Sequence, residues 1–318
     1  MRTRLLHLVP ALAVLLTATR PVAAEQAEGV VFKSGRDRIE IFVGGRPFAV
    51  YVFADKKIRR PYFTAVKAPG GEQVTRHHPP RAGVDSTDHD TMHPGIHLAF
   101  GELGGSDFWR NRGRVVHDGF VEVPRGGASQ GGFVVRNKYL DGSRLVCQEL
   151  CRHRVLIRSH GILLTYESRF SSALADFAFG DQEEMGLGVR VDRELRVKGG
   201  RGMITDSEGR KNEKAVWGRQ ALWCGYSGVK NGHHVGLVLM PHPENFGKSW
   251  FHARDYGFLV ANPFGRRAFT KGQPSRVRVG KGKVFRLRYG VLVHGTKADR
   301  PVDLKAAYTD YLAVIGTR

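Results

Sequence analysis

The sequence predicts an all-β protein, built as a large antiparallel β-sandwich with a short C-terminal helix. Short runs rich in β-branched and aromatic residues recur along the chain, separated by Gly, Asp and Asn, as is typical of antiparallel strands joined by turns. These runs are residues 38–42, 48–53, 133–139, 154–158, 162–170, 235–240, 256–261 and 284–294. A helical spacing of apolar residues is clear only in the tail.

Two of these elements illustrate the pattern. The run at 162–170 alternates as a strand with two different faces should. One face would carry Leu164, Tyr166 and Ser168, and the other Leu163, Thr165 and Glu167. In the tail, Asp303 is placed to cap a helix that packs on the sandwich. Its apolar stripe would consist of Leu304, Ala307, Tyr308, Tyr311 and Leu312.

The N-terminus has the pattern of a secretory signal peptide. Arg2 and Arg4 precede an apolar stretch at 5–18, and small residues at 22–24 predict cleavage after Ala24. We therefore expect residues 1–24 to be a signal peptide and the protein to be periplasmic or extracellular. The remainder, 25–318, has no internal repeat and is more than twice as long as an immunoglobulin-like sandwich, so we expect one large β domain.

Composition narrows the function classes. Apolar residues make up 41% of the chain, which is ample for a large core and excludes disorder as the main state. After the leader, no segment reaches the roughly 18 apolar residues of a membrane span. The net charge of +20 favours an anionic partner. Nucleic acid is not expected, because the chain carries no recognised binding motif and its leader directs export. The oligomeric state stays open.

The three cysteines allow at most one internal disulfide. Cys147 and Cys151 lie in one predicted strand, where four residues span about 13 Å, too far for a bond between them. Either could instead meet Cys224 across the fold. The cysteine spacing matches no metal or redox motif.

One polar segment concentrates side chains that bind metals or transfer protons. It contains Asp88, His89 and His93, and the following Pro94 and Gly95 predict a loop. If the segment were extended, the two histidines would lie about 13 Å apart, too far to share one ion. Three alternatives stay open: a divalent metal ion bound by Asp88, His89 and His93, hydrogen bonding without a metal, and a plain polar loop.

A second segment has the composition of a sugar site. Read as a strand, it places Trp250, His252, Arg254 and Tyr256 on one face. An aromatic ring can hold a pyranose, an arginine can bind a carboxylate or sulfate, and His252 or Tyr256 can move a proton. The alternative is that the aromatics lie at the rim and Arg254 forms a structural salt bridge.

Two adjacent carboxylates form a third candidate. On a strand, Glu184 would share a face with Gly186, Gly188 and Arg190, and glycines would leave room for a ligand above that face. The alternative is an ordinary surface pair between Glu184 and Arg190. A carboxylate opposite His252 would complete an acid–base pair.

Two further segments are weaker candidates for a site. His242 and Asn245 follow a strongly apolar strand, where loops commonly carry sites; the alternative is that His242 only caps a turn. Asn212, Glu213 and Trp217 form another polar and aromatic patch that could line a groove.

Several motifs together resemble a known family. They include Glu183-Glu-Met-Gly-Leu-Gly188, Trp250 to Gly257 and Ala261-Asn-Pro-Phe-Gly265, and the match covers roughly residues 30–315. The chain resembles the secreted bacterial family labelled "methane oxygenase PmoA" or PmoA-like. In the first histidine block the family usually has Asp-His-Pro-His-His-Arg-Gly, whereas this chain lacks one histidine and the arginine.

The resemblance implies a supersandwich related in architecture to sugar mutarotases and polysaccharide lyases. The family label does not describe the chemistry, since a methane monooxygenase subunit is a membrane protein and this chain has no span after its leader. Function must be argued from the site.

We therefore predict a secreted protein that acts on a glycan or glycoside as a hydrolase or lyase, and the net positive charge favours an anionic substrate. The expected catalytic residues are His252, Tyr256, Glu184, Glu183 and Asp255. The expected substrate-binding residues are Arg254, Trp250, His242, Asn245, Asn262 and Trp109. The first alternative is a carbohydrate-binding protein that uses Trp250, Tyr256 and Trp109 as platforms. The second is a metal-dependent oxidoreductase.

Overall fold

The computed structural model describes residues 28–297 and 299–316. The predicted signal peptide at 1–24 lies outside these residues. The strands at the start of the chain are β1 (Val30–Ser34), β2 (Arg38–Val43), β3 (Arg46–Val52), β4 (Tyr62–Thr64), β5 (Ile96–Phe100), β6 (Arg114–Arg125), β7 (Gln130–Asp141), β8 (Arg144–Arg158) and β9 (Gly161–Ser171).

The second half of the chain contributes the remaining described strands and the described helices. Its strands are β10 (Phe177–Phe179), β11 (Met185–Arg190), β12 (Gly202–Asp206), β13 (Arg219–Gln220), β14 (Cys224–Lys230), β15 (His233–Pro241), β16 (Trp250–Arg254), β17 (Phe258–Asn262), β18 (Val277–Val279) and β19 (Val284–Lys297). The helices are α1 (Asn212–Val216), α2 (Arg266–Thr270) and α3 (Leu304–Ile315), with a 3-10 turn at Arg193–Leu195.

Two large antiparallel sheets pack face to face. The first sheet has the order β1-β2-β3-β4-β5-β11-β17-β16-β13 and the second the order β12-β14-β15-β19-β9-β8-β7-β6, while β10 and β18 form a small separate sheet. The predicted large antiparallel β-sandwich is therefore confirmed. None of the described helices combines the length and apolar character that a membrane span requires.

The predicted strand faces are also confirmed. In β9, Leu164 and Tyr166 lie in the core between the sheets, whereas Leu163 lies in a second apolar cluster on the opposite face. Helix α3 covers that cluster with Ala307, Tyr308 and Tyr311. The Asp303 side chain accepts a hydrogen bond from the Ala306 N–H over 3.0 Å, as expected of an N-cap.

One predicted strand begins too early. The run at 256–261 was expected to start with Tyr256, but β17 starts at Phe258 because the preceding residues form a turn. The Gly257 N–H donates to the Arg254 carbonyl over 2.9 Å, and Gly257 has a φ of +101°. A side chain is strained in this left-handed conformation, so glycine permits the turn. Tyr256 therefore does not continue the face of β16.

The cysteines form no disulfide in the described structure. Cys147 and Cys151 both lie in β8, where the strand spacing was expected to keep them apart, and Cys224 lies in β14. All three are buried and free. Burial raises the pKa of each thiol, so these side chains behave as small apolar residues rather than nucleophiles.

Candidate active site

The candidate site lies on the face of the first sheet that points away from the core. In β16, Phe251 and Ala253 belong to the core, so His252 and Arg254 point outward. The same alternation along β5, β11 and β17 places every second side chain on that face, where loops and neighbouring side chains bury them. The outward residues of these three strands include His97, Gly188, Arg190 and Phe258.

Phe258 is the centre of an aromatic cluster. The His93 ring stacks on the Phe258 ring with a centroid distance of 3.7 Å and an angle of 6°. The His252 ring meets Phe258 edge-on at 5.6 Å, and the Tyr256 ring lies parallel to it at 6.5 Å. Side chains from the polar loop, the turn and β16 therefore converge on one phenyl ring, although they are up to 163 residues apart in the chain.

The first histidine–carboxylate pair is formed by His252 and Glu183. Arg254 donates from Nε to Nε2 of His252 over 3.2 Å, so Nε2 is the acceptor nitrogen of the ring in this contact. Nδ1 lies 3.2 Å from Oε2 of Glu183. The neighbouring ring nitrogen of His252, followed by the positive charge of Arg254, lowers the pKa of Glu183. The ionised carboxylate thus lies on one side of the ring, and the ring nitrogen that faces the arginine lies on the other.

Arg254 is held in place by helix α1. Its Nη1 donates to Oε1 of Glu213 over 2.9 Å, and its guanidinium lies over the Trp217 ring at 5.6 Å. The other oxygen of Glu213 accepts from the Asp255 N–H, and the Asp255 carboxylate accepts from the Glu213 N–H, over 2.8 Å and 2.9 Å. Burial alone raises the pKa of Glu213, but the hydrogen bonds from Asp255 and Arg254 outweigh it and lower that pKa.

The second pair is formed by His93 and Glu184. Nε2 of His93 lies 3.8 Å from Oε1 of Glu184, while the other carboxylate oxygen accepts from Arg110. Arg110 is in turn paired with Asp107 at 3.1 Å. Burial, followed by the positive charge of Arg190, holds the pKa of His93 well below its ordinary value, so this ring is neutral at neutral pH.

A buried arginine shapes the loop that carries His93. Arg76 donates to the carbonyls of Ser86, Asp88 and His93 over 2.9, 2.7 and 3.0 Å. The His93 N–H also donates to the His89 carbonyl over 2.9 Å, which closes one helical turn. Because of this turn, the His89 and His93 rings stack at 5.0 Å instead of lying at the ends of an extended segment.

The described residues do not form the predicted metal site. Asp88 accepts from Arg190 over 2.9 Å and from Ser86, and it also contacts Nδ1 of His89 at 3.0 Å. The rings of His89 and His93 are stacked, so their nitrogens do not point at one ion. Within 28–297 and 299–316, no group of three or more His, Cys, Asp or Glu side chains is placed to hold a metal. We derive no metal-dependent step.

The ion-pair partner of Glu184 and the space above Gly188 both differ from the prediction. Glu183 and Glu184 lie in the loop before β11, and Glu184 pairs with Arg110 rather than with Arg190. The space above Gly188 is not open to a ligand. A Cβ built at Gly188 would lie 2.8 Å from Cη2 of Trp109, which fills that space.

Trp109 cannot serve as the predicted stacking platform, since it is fully buried. It packs edge-on against His97 with ring centroids 4.8 Å apart. Trp250 is half-buried and begins β16, on the same outward face as His252. Of the predicted platforms, Trp250 and Tyr256 therefore retain exposed surface, and Trp217 joins them beside Arg254.

Three other predicted substrate-binding residues have structural contacts. His242 packs against Tyr311 of α3, and Asn245 exchanges hydrogen bonds of 2.9 Å and 2.8 Å with the backbone of Arg288, so both belong with the second sheet. Asn262 is fully buried and donates to the carbonyls of Gln182 and Glu183 over 2.7 Å and 3.0 Å. Asn262 thus positions the loop that carries Glu183.

Sequence reasoning missed several partners in this site. The sequence does not mark Arg110 or Phe258 as site residues, and it marks Glu213 only as part of a possible groove. The signal for Glu213 was its place beside Trp217 in a polar and aromatic segment. Nothing local marked Arg110, because its partner Glu184 is 74 residues away.

A family model described as "Family of unknown function (DUF6807)" matches residues 38–307. The chain belongs to the DUF6807 family. No curated protein matches the sequence.

Several solved structures are similar in outline to this DUF6807 chain. A galactose mutarotase-like protein from Lactobacillus casei ATCC 334 has a TM-score of 0.40 and 11% identity, covering 84% of this chain and 100% of that one. The GH36 alpha-galactosidase AgaA from Geobacillus stearothermophilus has a TM-score of 0.38 and 10% identity, and the match covers 84% of this chain but 40% of the galactosidase. A galactose mutarotase related enzyme from Lactobacillus acidophilus has a TM-score of 0.32 and 10% identity, covering 85% and 98%.

Proposed function

We propose that this protein is a carbohydrate-active enzyme that cleaves a glycan or glycoside by acid–base chemistry. One observation carries the proposal: the pairs His252–Glu183 and His93–Glu184 meet at Phe258 on the outward face of the first sheet. Histidine–carboxylate pairs are common proton-transfer units, because the carboxylate fixes the ring and stabilises its protonated form.

His252 is the base in this proposal. Glu183 lies at its Nδ1, so Nε2 is the nitrogen that accepts a proton. In the free protein Nε2 faces the guanidinium of Arg254. A carboxylate or hydroxyl of the substrate that binds Arg254 would draw the guanidinium aside and leave Nε2 free to react.

Tyr256 is the acid. Burial raises the pKa of its phenol, so the hydroxyl stays protonated at neutral pH and can donate to a leaving oxygen. Its ring is fixed by Phe258 and by the guanidinium of Arg190, which lies over it at 4.7 Å. Glu184, held by Arg110, is the proton-transfer candidate on the His93 side of the site.

These groups can carry out two bond-breaking reactions. In hydrolysis, His252 takes a proton from water, the hydroxide adds to the sugar carbon as the bond from that carbon to the leaving oxygen breaks, and Tyr256 gives its proton to the leaving oxygen. In elimination, His252 takes a proton from carbon, a double bond forms as the carbon–oxygen bond breaks, and the leaving oxygen again receives the Tyr256 proton.

Export to the periplasm or exterior remains a prediction from residues 1–24.

The test is a product search with matched variants. The protein, His252→Ala and Glu183→Gln are incubated with neutral, uronate-containing and sulfated glycans, and products are identified by mass spectrometry. His160→Ala, in the turn between β8 and β9 of the second sheet, is the control histidine. We expect products from the unmodified protein and the control, and loss of products from both site variants at unchanged melting temperature.

The product masses distinguish the reactions. Fragments whose masses sum to the glycan plus one water indicate hydrolysis, and fragments that sum to the glycan alone indicate elimination. Saturable glycan binding without products would contradict an enzyme and favour a carbohydrate-binding protein. Products that persist in His252→Ala would overturn the assignment of the base.

A further inference from the structure

A groove lies beside the loop that carries Arg110 and Arg112. This groove has a volume of about 860 Å³, within the range of roughly 300–1,000 Å³ typical of small-molecule sites. It lies between the segment that follows β3, the start of β6 and the β7–β8 turn. Its lining includes Phe53, Arg59, Arg60, Arg112, Arg114 and His117.

The groove carries an excess of positive charge. Arg59, Arg112 and Arg114 are exposed, and among residues 28–297 and 299–316 none of their guanidinium groups has an ion-pair or hydrogen-bond partner. Such groups are free to bind an anion. In a concave surface the field of several like charges reinforces itself, so this groove attracts anions more strongly than scattered arginines do.

The carboxylates nearby are already engaged. Asp55, the acidic residue in the lining, accepts from the backbone N–H groups of Lys57 and Ile58 over 2.7 Å and 3.0 Å and from the Tyr62 hydroxyl over 2.7 Å. Asp141, beside the groove, pairs with Arg144 at 2.8 Å. Neither neutralises the three arginines of the lining.

The groove also offers rings and buried polar atoms. His117 packs against Phe53 with ring centroids 4.6 Å apart, and its Nδ1 is buried without a hydrogen-bond partner in the described structure. Arg60 is buried, and its Nε likewise has no partner there. A ring beside guanidinium groups is suited to a sugar that carries an acidic substituent.

One loop links the groove to the candidate active site. Arg110 contacts Glu184 in the site, and Arg112, two residues further on, lines the groove. Buried Arg60 fixes this loop by donating to the Trp109 carbonyl over 2.8 Å and to Oδ1 of Asn111 over 3.0 Å. Because residues two apart lie within about 7 Å along the backbone, one extended ligand can reach both surfaces.

We propose that this groove binds the carboxylate or sulfate groups of an acidic glycan, as an extension of the candidate active site. The glycan part of this assignment rests on the proposed function, whereas the recognition of an anion rests on the three free guanidinium groups. Planar guanidinium groups bind carboxylate and sulfate oxygens in pairs, so both substituents fit the same residues.

The test is calorimetric binding in the His252→Ala background, where turnover cannot obscure affinity. The probes are an oligogalacturonate for the carboxylate, a dextran sulfate for the sulfate and a maltooligosaccharide as the neutral sugar. The groove variant combines Arg112→Gln and Arg114→Gln. The control combines Arg276→Gln and Arg278→Gln, which removes the same charge from two exposed arginines outside the groove lining.

We expect at least one acidic probe to bind, with a dissociation constant raised at least tenfold by the groove variant and less than twofold by the control. Equal weakening in both variants, or no binding of either acidic probe, would overturn the assignment. Equally tight binding of a single-stranded DNA oligonucleotide would overturn a glycan preference. Groove binding without products in the earlier test would refute the enzyme alone, and products without groove binding would refute this inference alone.

Discussion

Two glutamates in this molecule show how environment decides the role of a carboxyl group. Glu149, on β8, is 3% exposed and accepts hydrogen bonds from uncharged groups: the Ser168 hydroxyl at 2.6 Å, the Asn137 amide at 3.0 Å and the Tyr139 hydroxyl at 3.3 Å. Burial outweighs these bonds and raises its pKa. The side chain of Glu183, on the outward face, is 40% exposed and lies beside cationic and ring nitrogens, which lower its pKa.

The difference shows that a polar cluster is not by itself a site. The cluster around Glu149 lies between the two sheets. Its donors, on Ser168, Asn137 and Tyr139, all bond to the Glu149 carboxyl group. The cluster around Glu183 includes partly exposed side chains and contains the proposed base, the proposed acid and a guanidinium. The first arrangement favours a neutral carboxyl group that stabilises one packing of the core, and the second favours an ionised group that a ligand can reach.

The largest expected effect separates the two glutamates by activity. Glu183→Gln removes the charge that orients and stabilises protonated His252, so we expect turnover to fall by about 10²–10⁴-fold, the usual contribution of acid–base catalysis. Glu149→Gln, the matched control in the core, should leave turnover within twofold. Initial rates on the glycan that yields products provide the measurement. Equal losses in both variants would mean that Glu183 acts only through the fold.

A buried cation extends the comparison to stability. Arg76, which is 3% exposed, binds the carbonyls of the loop that carries His93. Arg76→Gln should lower the free energy of unfolding by about 3 kcal/mol, since charged hydrogen bonds in a buried site are lost. Arg81→Gln, an exposed arginine ahead of the same loop, should change it by less than about 0.5 kcal/mol. Chemical denaturation measures both, and similar values for the two variants would contradict the anchoring role.

The two glutamates should also respond to pH with opposite sign. The folded pKa of Glu149 is above its ordinary value of 4.5, so its stabilising effect is complete below that pH and is lost as pH rises through the folded pKa. For Glu183, whose folded pKa is below 4.5, stability is instead lost as pH falls through that lower pKa. The unfolding free energy of the protein should therefore fall relative to that of Glu149→Gln as pH rises above 4.5. A constant difference would refute this account.

The smallest expected effect compares two tyrosines. The Tyr139 hydroxyl donates to Glu149, whereas the Tyr256 hydroxyl has no hydrogen-bond partner among the described residues. Tyr139→Phe should cost about 1 kcal/mol of unfolding free energy, and Tyr256→Phe less than about 0.5 kcal/mol. Thermal denaturation followed by circular dichroism checks both. A larger loss in Tyr256→Phe than in Tyr139→Phe would reverse the assignment of the two clusters.

Strand periodicity predicted much of the fold because each alternation is local. The two faces of β9, the position of α3 and its cap at Asp303 all follow from residues within one element. The same reasoning failed at Tyr256, since the turn that Gly257 permits interrupts the alternation.

The site was predicted in part. His252, Glu183 and His93 were singled out by chemistry, and the structure brings them together at Phe258. The pairing of Glu184 with Arg110 could not be predicted, because ion pairs between loops depend on how the chain folds back. The space expected above Gly188 is filled by Trp109, and this contact could not be predicted either because the two residues are distant in the chain.

The absence of a side chain at Gly188 has a consequence for how this protein can evolve. Any other residue would place its Cβ 2.8 Å from Trp109, closer than packed atoms tolerate, and 3.2 Å from His97, which is a tight contact. Trp109 lies on the loop that also carries Arg110 and Arg112, so a substitution at this strand position would displace a residue of the candidate site and a residue of the groove together. One position on β11 thus constrains the loop that borders both surfaces.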